Sequence, residues 1–338
     1  MKLLVTGGAG FIGSNFVHYV LRQHPEDYVT VLDKLTYAGN RANLADLTDR
    51  MHFVQGDIAD SALVRELLAE QDAVLNFAAE THVDRSLLDD DEFIRTNVQG
   101  TQTLLKAALA GGGTRYVQVS TDEVYGAVLS GSSLETDRLD PRSPYSAAKA
   151  AGDLLVRSYF ESYGLDARIT RGANTIGPRQ YPEKVVPLFV TNALDDLMLP
   201  IYGDGGALRD YIYVDDHCAA IDLVLRAGRA GEIYNVGANA HLNTVQVADS
   251  VLALLDKPAH LKRYVDDRPG HDRRYSVDSR KLRGLGWQPR HSVDETLALT
   301  VAWYQEHEAW WRPLKNADYQ AYYQRQYGQR LATSRSER

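Results

Sequence analysis

The sequence predicts a doubly wound α/β fold, a parallel sheet with helices on both faces, followed by a smaller, discontinuous α/β region. Three observations carry this. The chain opens on a short apolar run, Lys2-Leu3-Leu4-Val5-Thr6, that leads straight into Gly7-Gly8-Ala9-Gly10-Phe11-Ile12-Gly13 and then into helical spacing over residues 14–23. Short β-branched runs then alternate with amphipathic stretches through the first half, the rhythm of parallel strands joined by helical crossovers. The second run, 28–32, ends in Asp33, about twenty residues after Gly13, the spacing at which an acid accepts from a cofactor ribose.

In the first turn, the glycines allow a tight reversal, a close approach by a pyrophosphate and helix–sheet packing. Phe11 and Ile12 open the helix, whose first N–H groups face any bound phosphate. A carboxylate at Asp33 repels a 2′-phosphate and favours NAD over NADP, while the adjacent Lys34 weakens that preference. Residues 51–54 read as the third strand, followed by Asp57 and Ile58. Asp57 is placed to meet an adenine amino group, or equally to cap the helix over 62–70. Residues 73–77 form the fourth strand and end at Ala78-Ala79, small enough for a cofactor to lie against. The run Glu80-Thr81-His82-Val83-Asp84-Arg85-Ser86 is too polar for a core and reads as a site loop. A long helix over 97–110 stops at three glycines.

The strand over 115–119 delivers Ser120-Thr121-Asp122-Glu123 to its C-terminal end, the edge of such a sheet where ligands sit. Adjacent carboxyls are costly there unless paired or protonated. That cost makes sense if one gives a proton and the other takes one. Ser143-Pro144-Tyr145 opens the next helix, and Lys149 lies four residues after Tyr145, on the same face. An ammonium beside a phenol lowers the phenol's pKa, and the phenolate can then take a proton from a substrate alcohol. Residues 167–171 give the sixth strand. The strand over 211–214 is expected to return to the first region, and 232–236 to form another strand. Helices are expected over 245–255 and 293–306.

The 338 residues carry a net charge of −8, which argues against a nucleic-acid or anionic-membrane partner. A single cysteine, Cys218, excludes an intrachain disulfide, and no metal-ligand cluster stands out. With no signal segment at the start and no membrane-length apolar run, a cytoplasmic protein is expected.

The Gly7/Gly10/Gly13 turn, the Thr121 hydroxyl and the Tyr145/Lys149 pair resemble the extended short-chain dehydrogenase/reductase family. Within it, Thr121-Asp122-Glu123 is similar to the signature of the nucleotide-sugar 4,6-dehydratases. Thr36-Tyr37-Ala38-Gly39-Asn40, the 80–86 loop, Pro182-Glu183-Lys184 and the stretch 268–275 extend the likeness over nearly the whole chain. The resemblance implies NAD-dependent conversion of dTDP-α-D-glucose to dTDP-4-dehydro-6-deoxy-glucose in deoxysugar biosynthesis. Tyr145 would be the base at C4, Thr121 would hold the C4 oxygen, and Glu123 and Asp122 would be the base at C5 and the acid at C6. It also implies substrate contacts at Glu80, His82, Asn174, Glu183, Lys184, Pro187, Arg209, Asn243, Arg268 and His271, and a homodimer. The expected division is a Rossmann domain of 1–172 with about 207–238, a nucleotide-sugar domain of 173–206 with 239–330, and a disordered tail over 331–338. The alternatives are another nucleotide-hexose such as UDP-glucose, an NAD-dependent 4-epimerase or decarboxylase, which would not need Asp122-Glu123, and a catalytically silent NAD-binding regulator. Thr175-Ile176 replaces the Asn-Tyr pair usual in the family, and Arg179 stands where a tyrosine is common. The departures bear on substrate identity more than on reaction type.

Overall fold

The computed structural model of the chain describes residues 1–333. In chain order its strands are β1 (Lys2–Thr6), β2 (Tyr28–Asp33), β3 (Met51–Gln55), β4 (Ala73–Asn76), β5 (Arg115–Thr121), β6 (Ala167–Gly172), β7 (Asn174–Ile176), β8 (Leu199–Tyr202), β9 (Leu208–Tyr213), β10 (Ile233–Val236), β11 (His241–Asn243) and β12 (Lys262–Val265). Seven of them form one sheet in the order β10-β6-β5-β4-β1-β2-β3, and every pairing in it is parallel. The winding direction reverses between β1 and β4, which opens a crevice at their C-terminal ends.

Period-two alternation explains how the sheet is covered on both sides. Leu3, Val5, Val29, Val31 and Val117 face the helices Phe11–Gln23 and Val214–Ala227, where they meet Phe16, Val17, Val20, Cys218 and Ile221. Leu4, Leu32, Val74, Tyr116 and Ile169 point the other way. They pack on Val64, Leu68, Leu104, Leu105 and Val156 from the helices Ser61–Leu68, Thr101–Ala110 and Pro144–Tyr163. Each such burial contributes roughly 1.5–3 kcal/mol. A second core gathers Val186, Phe189, Val247, Val251, Leu297, Val301, Tyr304 and Trp311 from the second half of the chain. Beside it lie the small sheets β11-β9-β7 and β12-β8.

Three sequence expectations need correction. The run 211–214 does not return to the first sheet as a strand. Residues 211–213 belong to β9, held between β7 and β11, and Val214 opens the next helix, while the edge of β6 is taken by β10. What returns is the helix Val214–Ala227 and then β10, so residues 208–213 of the segment assigned to the first domain lie in the small sheet. The tail assigned to 331–338 begins too early, since the helix Gln329–Ala332 carries Leu331 onto the second core. The rest of that assignment, 334–338, lies outside the described residues. The expected helix over 97–110 begins as a wider π-helical segment, Arg95–Gly100, before the regular helix Thr101–Ala110.

The helix Pro144–Tyr163 starts on a reciprocal Ser143–Ser146 capping box with Pro144 in its first turn, and ends at Gly164 in the left-handed region at φ 69°. Its middle is pinned to β6 by a buried ion pair. Arg171 Nε donates to Asp153 Oδ2 at 2.9 Å, with both side chains at most 2% exposed. Arg171 Nη1 also donates to the Tyr125 hydroxyl at 2.8 Å, which donates in turn to Asn235 Oδ1 at 2.8 Å. Removing one member of a buried pair strands the other charge, at a cost of roughly 3–5 kcal/mol. Asp153→Ala is therefore expected to lower unfolding stability by about that amount, read as a shift of the urea midpoint. A shift no larger than that of a surface substitution would contradict it.

Candidate active site

The site grows out of strand ends. Gly7 follows β1 at φ 66°, and a Cβ there would lie 2.6 Å from the Ala78 amide nitrogen, while one on Gly13 would lie 2.3 Å from the Gly7 carbonyl oxygen. Only glycines let this turn close onto the end of β4 and the start of its helix. Asp33 ends β2, where its carboxylate accepts from the Ala9 amide at 2.9 Å and the Leu35 amide at 2.8 Å. Burial raises its pKa. Its remaining lone pairs are available to a ribose hydroxyl. Lys34 is drawn away from that position, into ion pairs with Asp57 at 3.2 Å and Glu92 at 3.4 Å. The cation that weakened the preference against a 2′-phosphate is thereby committed elsewhere. Asp57 also accepts from Arg95 and from the Ala59 amide, both at 2.9 Å.

One cavity joins these groups to the end of β5. Gly7, Gly10, Phe11, Ile12, Gly13, Asp33, Lys34, Asp57, Ile58, Ala78 and Ala79 line one part. Thr121, Asp122, Glu123, Tyr145 and Lys149 line another, with Glu80, Asn174, Glu183 and Lys184 beside them. The unpaired polar atoms of this region fit a polar ligand. Among the described residues, Ser120 Oγ, Asp122 Oδ2, Asn174 Oδ1, Gln180 Oε1, Glu183 Oε1 and His217 Nε2 are buried without a hydrogen-bond partner, and all six residues line the cavity. Buried polar groups left unpaired by the protein are the exception.

The two acids of the pair experience different fields. Asp122 is 3% exposed. Burial, and then the charge of Glu123, hold its carboxyl well above the usual range. Burial raises Glu123 too, but Arg268, Arg209 and Lys184 pull it back. Thr121 links them, since its hydroxyl donates to Asp122 Oδ1 at 3.4 Å and accepts from the Glu123 amide at 3.3 Å.

Tyr145 and Lys149 share one face as predicted, but the lysine does not act on the phenol as expected. Lys149 Nζ donates to the Val119 carbonyl at 2.7 Å, and burial lowers its pKa to about 8. The phenol is raised, not lowered, by burial and by the charge of Glu123.

The other predicted substrate residues lie outside the cavity lining. Arg209 is 8% exposed, donates to the Leu208 and Asp272 carbonyls, and lies 4.2 Å from the Tyr275 ring centroid. Arg268 pairs with Asp84 at 2.7 Å, and its Nε has no partner among the described residues. Both act on Glu123 through space. His271 is tied to Asp267 at 2.7 Å. His82 is buried against Tyr322, and its Nδ1 accepts from the Asp84 amide. Pro187 is buried in the first turn of the helix Val185–Leu194. Asn243 caps the helix Thr244–Leu254, which occupies its side-chain oxygen. Ser120, Gln180 and His217 were given no role in the sequence reading, and Thr175 was noted there only as a departure from the family pattern. Ser120 adjoined the signature and was within reach of the argument. The others carried no local signal, because folding alone brings them to the strand ends.

Residues 4–300 match the model of the GDP-mannose 4,6 dehydratase family. The chain belongs to that family. It is 51% identical over 321 residues to a dTDP-glucose 4,6-dehydratase of Streptomyces antibioticus, covering 93% of this chain and 96% of the relative. It is 50% identical over 306 residues to a low-salt glycan biosynthesis protein of Haloferax volcanii, covering 90% and 98%. The crystal structure of DesIV, a dTDP-glucose 4,6-dehydratase from Streptomyces venezuelae with NAD bound, superposes with a TM-score of 0.91 at 53% identity, over 93% of this chain and 100% of that one. A Thermus thermophilus UDP-glucose 4-epimerase complexed with NAD aligns at 33% identity with a TM-score of 0.84, over 91% and 100%. The family's architecture thus extends to relatives with other reactions.

Glu80 supplies a pH test. Burial, followed by the charge of Glu92, raises its pKa to about 7. The folded state therefore holds a proton that the unfolded chain has released above about 4.5. Glu80 accordingly weakens the fold progressively from about pH 4.5 to about 7 and by a constant amount above that. Glu80→Gln is expected to melt higher than wild type at pH 8 and level with it at pH 4. An equal difference at both pH values would contradict the shift.

Proposed function

We propose that the protein dehydrates dTDP-α-D-glucose to dTDP-4-dehydro-6-deoxy-glucose, with NAD as a resident cofactor, as a step in deoxysugar biosynthesis. The relatives near 50% identity support the substrate. The observation that carries the reaction type is the buried Asp122 beside Glu123, within one cavity that also holds Thr121 and Tyr145. Oxidation at C4 alone needs no second acid and base, whereas elimination across C5 and C6 needs both.

The glycine turn, Asp33, Ala78, Ala79 and Lys149 would hold NAD, which when bound takes hydride from C4 and later returns it to C6. Tyr145 takes the proton of the C4 hydroxyl as the phenolate, a form that burial opposes and that the Lys149 ammonium and the cationic nicotinamide of bound NAD would favour, and Thr121 donates a hydrogen bond to the C4 oxygen. The C4 ketone acidifies the C5 proton, which Glu123 removes. Asp122 gives its proton to the C6 hydroxyl as water leaves, and Glu123 returns a proton to C5 when C6 receives the hydride. The environments favour this order. Burial and the like charge of Glu123 hold the carboxyl of Asp122 well above the usual range, while three cations partly offset the burial that raises Glu123. Arg268, Arg209 and Lys184 are also the chemistry suited to a nucleotide diphosphate.

Incubation with dTDP-glucose, UDP-glucose and GDP-mannose tests the reading, with the 4-keto product and the loss of the C6 hydroxyl followed by mass spectrometry. Only dTDP-glucose is expected to turn over rapidly. Retention of the C6 hydroxyl with inversion at C4 would make the protein an epimerase instead. Tyr145→Phe is expected to reduce turnover by ~10²–10⁴-fold while bound nucleotide is retained. Asp122→Asn combined with Glu123→Gln is expected to give a single-turnover rise in NADH absorbance that does not decay. A double variant that still releases 6-deoxy product at the wild-type rate would remove the pair from the mechanism.

The same reading includes a homodimer in the cytoplasm. The helix Pro144–Tyr163 leaves Ala147 and Leu154 exposed, with Leu154 at 54% and Tyr163 at 61%, an apolar strip suited to a two-fold mate. Among the described residues no helix is long and apolar enough to cross a membrane. Sedimentation at micromolar concentration is expected to give twice the chain mass.

A further inference from the structure

We infer that His217 anchors the nicotinamide end of the cofactor, with its Nε2 accepting a hydrogen bond from the carboxamide –NH2. The inference rests on the reading that the cavity holds NAD. His217 lies on the helix Val214–Ala227, is 1% exposed and lines the cavity. Its Nδ1 lies 2.7 Å from Thr175 Oγ1, and its Nε2 has no partner among the described residues. The ring is pressed against Gly172, where a Cβ would lie 2.7 Å from Nε2. Gly172 pairs in register with Thr121 across β5 and β6. That places His217 at the reacting end of the cavity, away from the adenosine end marked by Asp33 and Ile58.

The protonation state follows from the hydrogen bonds and the burial. Thr175 Oγ1 also lies 3.3 Å from the Ala173 carbonyl, which can only accept. A hydroxyl has one proton, and if it goes to Ala173 the hydroxyl must accept from His217 Nδ1–H. Nε2 then bears the lone pair. Burial alone lowers the pKa of His217 to about 4, so the ring is neutral in the working range. An unprotonated, buried acceptor needs a donor, and at that end of NAD the ribose hydroxyls fall to Tyr145 and Lys149 in the proposed arrangement. The carboxamide –NH2 is the donor that remains. Thr175 fixes the ring's tautomer.

The test uses the full-length protein and an exchange competition. The protein is equilibrated with an equimolar excess of NAD and its 3-acetylpyridine analogue, in which a methyl group replaces the –NH2. It is then desalted and denatured, and the released nucleotides are quantified. Wild type is expected to favour NAD by about 5- to 20-fold, the worth of one buried hydrogen bond and its unpaired acceptor. His217→Leu is expected to bring the ratio within about 2-fold of unity, and His217→Gln, which keeps an acceptor, to restore part of it. Should His217→Leu fail to fold, Thr175→Val, which frees the ring from its tautomer, is expected to lower the ratio. A structural role for His217 would change total occupancy without changing the ratio. Equal binding of the two nucleotides by wild type, or full preference in His217→Leu, would overturn the inference while leaving the NAD reading intact. Recovery of neither nucleotide would overturn both.

Discussion

The buried pair of Asp153 and Arg171 is the contact through which the site is assembled. Asp153 lies one turn beyond Lys149 on the same helix, and Arg171 lies one residue before the end of β6. Their bond fixes the helix's rotation against the sheet, and with it the positions of Tyr145 and Lys149 over the end of β5. The network continues through the Tyr125 hydroxyl to Asn235, whose side chain donates to the Ser133 carbonyl at 2.9 Å. Tyr125 closes the short turn Asp122–Tyr125 that displays the two acids. A single polar chain therefore ties the helix, β6, the acidic turn and β10 together. In a low-dielectric interior such a network is directional in a way that apolar packing is not.

Electrostatics then separates two adjacent carboxyls. Their separation in sequence is minimal, yet burial and a like charge dominate at Asp122 while three cations offset burial at Glu123. Burial and Glu123 act in the same direction on Asp122, while Arg268, Arg209 and Lys184 oppose burial at Glu123. Opposed environments are how neighbouring groups come to serve as acid and base at one pH. Asp84, by pairing with Arg268, and Asp272, whose backbone carbonyl accepts from Arg209, hold two of those cations in place.

Much of the architecture was legible because its signals are local. The glycine turn, the acid at the end of β2, the strand ending in Thr121 and the Tyr145/Lys149 spacing all lie within short stretches. The periodicities of strand and helix fix which way their side chains point. Where the reading failed, the missing information was non-local. The strand over 208–213 has the composition of a sheet strand, and nothing in it says that β10 already holds the edge of β6. By contrast, Asn243 and His82 also cap helices, a local role that the sequence reading did not give them. Pro187 lies in a plausible loop sequence and is buried in a helix.

The sequence by itself determined the chemical inventory and the order in which the sheet presents it, because strand ends, turns and helix faces follow from neighbouring residues. Tertiary structure alone decided the field at each group. Coulomb energy depends on distance through a medium of uneven dielectric, and both are set by packing between residues far apart in the chain. That is why Lys34 turns to Asp57 and Glu92, why Lys149 lies against the Val119 carbonyl without lowering the pKa of the phenol, and why His217 meets Thr175 behind Gly172.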